Sequence, residues 1–202
     1  MTKTTGLLLL GIFIFLMSPA FSQAEQFSER FAKGTSAFGV QGGFGYTIDI
    51  PPGRNRADIS FLFLFPNFQY NLTGVIGGDS WYEGALYWHH EVGAALDLNH
   101  DNEYLVGWSP LMLEYKFLDS KRSWAPNVMV GAGFAYTDWD EIASHELGSQ
   151  FEFLLHAGLG LEFFLDKGSV SLNYRFFHVS NAGIERPNIG LNANVISLGF
   201  RF

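Results

Sequence analysis

The chain has 202 residues, 48% of them hydrophobic and 17% aromatic, with no cysteine and a formal net charge of −8. Without cysteine, disulfides cannot hold it together, and an acidic chain lacks the basic face that nucleic-acid binding requires. What remains is a chain long enough for one domain, which must bury the surface of 21 Phe among 23 Gly.

The first residues read as an export signal. Lys3 is the only charge before Gly6–Met17, an apolar run that Ser18-Pro19-Ala20 breaks, and Ser22-Gln23-Ala24 offers small residues for cleavage. The run is too short for a spanning helix, so residues 1–24 are expected to be removed, leaving 25–202 as a single domain. Losing Lys3 moves the net charge from −8 to −9. After residue 24 no apolar stretch approaches the roughly 20 residues of a membrane helix.

Beyond the signal the dominant pattern is alternation, which puts side chains on opposite faces of a strand. Phe38, Val40, Gly42, Phe44, Tyr46 and Ile48 form the first apolar face. Residues 59–71 follow, where Pro66 is expected to mark a bulge or a change of phase, and 83–97 after them. Next come Leu105, Gly107, Ser109, Leu111, Leu113, Tyr115 and Phe117 against Trp108, Glu114 and Lys116, then a less regular stretch at 125–136. From Phe151 every second residue to Leu165 is apolar, over a longer span than soluble strands commonly reach. Val170, Leu172, Tyr174 and Phe176 and then Ile196, Leu198, Phe200 and Phe202 complete the set.

This predicts an all-β fold, an eight-stranded, antiparallel, up-and-down transmembrane barrel of the outer-membrane type, with apolar residues toward lipid and polar ones toward the lumen. At eight strands the side chains fill the interior. Glu114, Lys116, Glu152, Glu162, Arg175 and Arg201 are expected to pair there as a plug. With the N-terminus in the periplasm, segments near 49–58, 98–103, 137–150 and 181–190 become extracellular loops. Asp119–Arg122 and Asp166–Gly168 become periplasmic turns. A third periplasmic connection, Leu72 to Tyr82, is longer than such turns usually are. The terminal Phe202 resembles the aromatic mark that the outer-membrane assembly machinery reads.

The last two strands carry the chemistry. Continuing the lipid-facing parity of Phe176 reaches His178 and Ser180, and continuing that of Asn194 reaches Asn192. A hairpin whose paired residues sum to 370 sets His178 opposite Asn192. That brings together a nucleophile (Ser180), a base (His178) and a group to hold the base's tautomer (Asn192). Asn181, Ala182, Gly183 and Asn188 in the intervening loop offer N–H donors for an oxyanion. Polar residues at a strand end and Asn/Gly/Pro loop chemistry are also ordinary barrel features.

The segment His178-x-Ser180-Asn181-Ala182-Gly183, with Pro187-Asn188-x-Gly190, resembles the signature of the PagL-type lipid A 3-O-deacylases, eight-stranded outer-membrane barrels. The resemblance implies a serine esterase that removes the 3-linked acyl ester of lipid A, with Ser180 as nucleophile, His178 as base, and Asn188 with the Ala182–Gly183 backbone as oxyanion site. It implies no metal and no cofactor. The expected partner is lipid A or lipopolysaccharide of the outer leaflet, with a homodimer left open. Well-known members place glutamate where this chain has Asn192. The outer-membrane phospholipase A resembles the chain at that point, pairing His-x-Ser with asparagine, although it is a larger, twelve-stranded, calcium-dependent dimer. A phospholipase-like hydrolase and a non-enzymatic structural or adhesive barrel are the alternatives.

Of the remaining polar residues, adjacent His89 and His90 point to opposite faces of a strand and cannot share an ion unaided. Asp138, Asp140, Glu141 and Glu146 give an acidic loop, read first as solvated and second as a site for cations that bridge lipid phosphates. Arg54, Arg56 and Arg186 could meet those phosphates directly.

Overall fold

Strict alternation of apolar and polar residues can satisfy both lipid and lumen only if the sheet has no open edge. The computed structural model closes it. It describes residues 24–50, 57–101 and 103–202; residues 1–23 of the expected signal, with Arg54 and Arg56, lie outside these. Eight antiparallel strands pair in chain order: β1 Ser36–Ile48, β2 Ser60–Asn71, β3 Gly84–Asp97, β4 Tyr104–Phe117, β5 Trp124–Thr137, β6 Phe151–Phe164, β7 Ser169–Ser180 and β8 Leu191–Arg201. β1 pairs with β8, from Gly39↔Arg201 to Ile48↔Asn192, and closes the barrel. At one end run the connections L1 (49–59), L2 (98–103), L3 (138–150) and L4 (181–190). Two of the three connections at the other end are short turns, and in one of them Leu165 N–H donates to Gly168 O (3.0 Å) with Gly168 at φ +85°.

The break in alternation lies elsewhere than at Pro66. Val40↔Pro66 is in register with its neighbours, and Leu64↔Ala94 and Asn67↔Glu91 keep one register on the other side. Burial alternates through the whole of β2. The bulge is in β4, where Trp108 to Leu111 spans one residue more than the facing Phe134 to Ala132. The same extra residue separates Ser109 from Met112 opposite Glu91 and His89. Pro110 sits in this bulge, where a strand proline that cannot donate is tolerated, and Trp88 Nε1 donates to its carbonyl (2.6 Å). Before Pro110 the expected parity is therefore inverted. Leu105, Gly107 and Ser109 point inward, while Val106 and Trp108 face outward; Leu111 and Leu113 are outward as expected.

The interior has two storeys. Toward the turn end the polar plug forms, with Lys116 Nζ–Glu162 (2.6 Å), Arg201–Glu162 (2.9 Å) and Arg201–Glu114 (3.6 Å). Arg175 pairs with Glu91, and Glu114 also takes a contact from His89 (3.2 Å) and a bond from Gln69. Burial makes such pairing obligatory, because an unpartnered charge in low dielectric costs several kcal/mol. Glu152, expected in the plug, is buried near the loop end instead, accepting from Ser149 Oγ (3.1 Å). Toward the loop end the lumen is apolar rather than polar. Phe61, Phe63, Phe65, Leu105, Leu154 and Phe177 pack there, and L3 drops Trp139, Ala143 and Leu147 into the same cluster. Trp139 lies against Phe61, ring centroids 5.2 Å apart.

The turn end is closed by two segments that show no period-two pattern. Helix α1, Ala24–Arg30, buries Phe27, with Phe31 just after it, against Tyr87, Leu118 and Ala125. Arg30 donates to Leu165 O (2.7 Å). The long 72–83 connection adds Val75 to this cluster and folds back through a bridge, Ile76↔Gly84. Its added length thus builds a cover for the barrel mouth. A cavity of about 730 Å³ remains beside α1, lined among others by Tyr87, Lys116, Glu162, Arg201 and Phe202.

Candidate active site

β7 and β8 alternate without a bulge from Ser169↔Arg201 to Val179↔Leu191, so His178 faces Asn192 and Tyr174 faces Ile196. Ser171, Asn173, Arg175, Phe177 and Val179 turn into the lumen, and their neighbours of opposite parity turn out. His178 and Ser180 consequently lie on the outer face, half-buried, at the loop end of the strand. Leu155 and Phe153 of β6 flank them on one side, and Ile48 of β1 flanks Asn192 on the other.

The side chains meet. His178 Nε2 is 3.0 Å from Ser180 Oγ, and His178 Nδ1 is 2.7 Å from Asn192 Oδ1. The direction of both bonds follows from the other end of the asparagine. Asn192 Nδ2 donates to the Ile50 carbonyl in L1 (3.3 Å), so only its oxygen can face the ring. That oxygen accepts from Nδ1–H, leaving Nε2 without a proton and ready to receive one from the serine hydroxyl. Asn192 is buried (8% exposed), which shields the pair of bonds from water. One row deeper into the lipid-facing band, Tyr174 Oη donates to Asn194 Oδ1 (2.6 Å) and Asn194 Nδ2 to Tyr46 Oη (3.2 Å). These bonds satisfy polar groups that would otherwise meet hydrocarbon.

The L4 residues expected to bind an oxyanion divide into two sets. The Asn181 N–H donates to Asn188 Oδ1 (3.0 Å) and the Gly183 N–H to Asn181 Oδ1 (3.0 Å). Both N–H groups are therefore used to shape the loop. Ala182 N–H and Asn188 Nδ2 have no acceptor among the described residues. Ala182 is the one described non-glycine residue with positive φ (+55°), and Gly183 follows at +84°. Backbone strain of this kind concentrates at functional sites.

Ile50 is a site contact that reading the strands does not find, because it comes from a loop. Arg186 lies in L4 as expected. In L3 the acidic residues are not simply solvated: Glu146 is buried, and Asp138 Oδ1 accepts from Tyr104 N–H. His89 and His90 do point to opposite faces, His89 into the lumen plug and His90 outward, where it accepts from Trp108 Nε1 (2.7 Å). The 730 Å³ cavity is at the opposite end of the barrel from Ser180. The candidate site lies on the outer face of the barrel, where His178 and Ser180 are half-buried.

The family model of the lipid A 3-O-deacylases (PagL) matches residues 56–201, most of the chain and the whole of β2 to β8. The lipid A deacylase PagL of Bordetella bronchiseptica is 35% identical over 75 residues, which cover 37% of this chain and 40% of that protein. The crystal structure of the outer membrane enzyme PagL superimposes with a TM-score of 0.54 at 19% identity, covering 82% of this chain and 98% of that one, and shares the fold. On the family match, the chain belongs to the PagL family of lipid A 3-O-deacylases.

Proposed function

We propose that this protein removes the 3-O-linked acyl chain of lipid A in the outer leaflet of the outer membrane, using Ser180 as nucleophile, His178 as general base and Asn192 as orienting group. The observation that carries the roles is the pair of hydrogen bonds on His178, whose direction the Asn192–Ile50 bond fixes. Ser180 Oγ attacks the ester carbonyl carbon while its proton passes to His178 Nε2. Ala182 N–H and Asn188 Nδ2 receive the oxyanion, and a single such donor is commonly worth about 10²–10³ in rate. The intermediate collapses with transfer of that proton to the departing 3-hydroxyl of lipid A, leaving an acyl-serine. His178 then deprotonates a water that attacks the acyl carbonyl, and its return of the proton to Ser180 Oγ releases the fatty acid.

Placement supports the substrate. Ser180 is on the outer face at the loop end, which is extracellular by the rule that outer-membrane barrels have short periplasmic turns and longer extracellular loops. Phe153 and Leu155 beside it continue the apolar band that acyl chains cover. On this reading residues 1–24 are the cleaved export signal. The exposed Phe202, whose N–H donates to Phe38 O (3.0 Å) at the barrel closure, is the mark for the assembly machinery.

The neutral Asn192 favours one second reading, a phospholipase-like ester hydrolase. Mass spectrometry of lipid A and of phospholipid after incubation with the refolded protein separates the two. Loss of one 3-O-acyl mass from lipid A supports the deacylase, and fatty acid released from phospholipid alone rejects it.

A further inference from the structure

Gly190 closes L4 immediately before β8 at φ +75°. A Cβ there would lie 2.7 Å from His178 Cε1, 2.9 Å from Val179 O and 3.0 Å from Ser180 Cβ. The imidazole edge thus rests against this glycine. Cε1 is the ring carbon between Nδ1 and Nε2, so pressure on it displaces the bonds to Asn192 and Ser180 together. Gly190 is fixed in turn by L3, because its N–H and that of Ile189 both donate to the Glu146 carbonyl (3.1 Å each). Gly148 brings the L3 backbone equally close to L4, where an added Cβ would be 2.5 Å from Pro187 O and 2.7 Å from Arg186 C. L3 is itself anchored in the apolar core by Trp139, Ala143 and Leu147, with Ala143 N–H donating to Trp139 O (2.7 Å) and Leu147 N–H to Ala143 O (2.9 Å).

We propose that Gly190 is a positioning residue for His178, and that L3, through the Glu146 carbonyl and the bare Gly148, holds it at the depth the His178–Ser180 bond requires. This deepens the site proposed above and rests on that reading of Ser180. The ordinary alternative is that Gly190 serves only the left-handed turn. Asparagine tolerates that conformation far better than alanine does, yet both place the same Cβ against the ring.

The test uses the full refolded chain with Gly190→Ala, Gly190→Asn and Gly148→Val. Three quantities are read: the rate at which a fluorophosphonate labels Ser180, with Ser180→Ala as blank; kcat and KM on lipid A; and thermal unfolding. Both Gly190 variants are expected to lose about a hundredfold in labelling rate and in kcat at unchanged KM, the scale of a 1 Å misplacement. Gly148→Val should lose less, in the same direction. Gly190→Asn at the wild-type rate would overturn the proposal, leaving only a turn requirement. If Gly190→Ala fails to fold, Gly190→Asn and Gly148→Val decide. Wild-type protein that labels but leaves lipid A intact refutes the substrate while the labelling rates still judge Gly190. Wild-type protein that does not label refutes the positioning role along with the site.

Discussion

In the proposed triad Asn192 stands beside His178 where a carboxylate could also serve, and both ends of its amide are engaged. The oxygen takes the Nδ1 proton of His178, and the nitrogen is held by the Ile50 carbonyl. A carboxylate in the same place would turn a second oxygen toward that carbonyl. The asparagine therefore supplies orientation in place of charge, and L1 supplies the anchor. Asn192→Ala removes both bonds; kcat on lipid A is expected to fall by on the order of 10²–10⁴, as for the third member of other triads. Thermal unfolding should be unchanged, and an unchanged kcat would remove Asn192 from the site. The parity of β7 and β8 made His178, Ser180 and Asn192 legible, because a bulge-free hairpin with one register leaves no freedom about which side chains meet. Ile50 was illegible for the converse reason: its position depends on the path of a loop, which no periodicity encodes.

At the scale of elements, β4 shows how one residue redirects a strand. Three prolines occur inside strands, Pro66, Pro110 and Pro126, yet only Pro110 accompanies a change of register. Pro66 interrupts the β2–β3 pairing without shifting it. A proline's missing donor is visible in a sequence; whether the partner strand answers with an extra residue is not. Leu105 and Val106 are both apolar, so composition does not reveal which faces lipid. The inverted phase puts Trp108 on the outer face and L3 puts Trp139 (1% exposed) inside the barrel. In single-tryptophan variants reconstituted into brominated phospholipid, Trp108 fluorescence is expected to be quenched and Trp139 fluorescence preserved. Quenching of Trp139 would show that L3 does not enter the barrel.

Across the whole molecule, the two-storey interior divides stability from function. Charges near the turn end are paired and buried, whereas the apolar storey beneath the loops supports L3 and, through it, L4. The sequence marks the charges, which recur at lumen parity, but not the apolar storey, because Phe61 to Phe65 is apolar on both parities. Their separation by height emerges only when eight strands are staggered around a closed barrel. Helix α1 is equally hidden, being a short segment held by Phe27 and Phe31 against the barrel rather than by any period of its own. Glu162→Ala leaves Lys116 and Arg201 short of a buried counter-charge, and urea unfolding in lipid is expected to lose about 3–5 kcal/mol. Replacing Lys116 and Glu162 together by Met and Leu should cost less than the single change, and an equal or larger loss would argue that the ion pair is not what holds this storey.

The central claim is that His178 and Ser180 act as one unit on the lipid face, and their mutant cycle tests it most directly. Initial rates of 3-O-acyl release from lipid A would be compared for wild type, Ser180→Ala, His178→Ala and the double variant, all with intact thermal unfolding. Residues that act as a unit are grossly non-additive, so the double variant should be no slower than either single one. Multiplying losses, or a Ser180→Ala protein that still releases the acyl chain, would contradict the account.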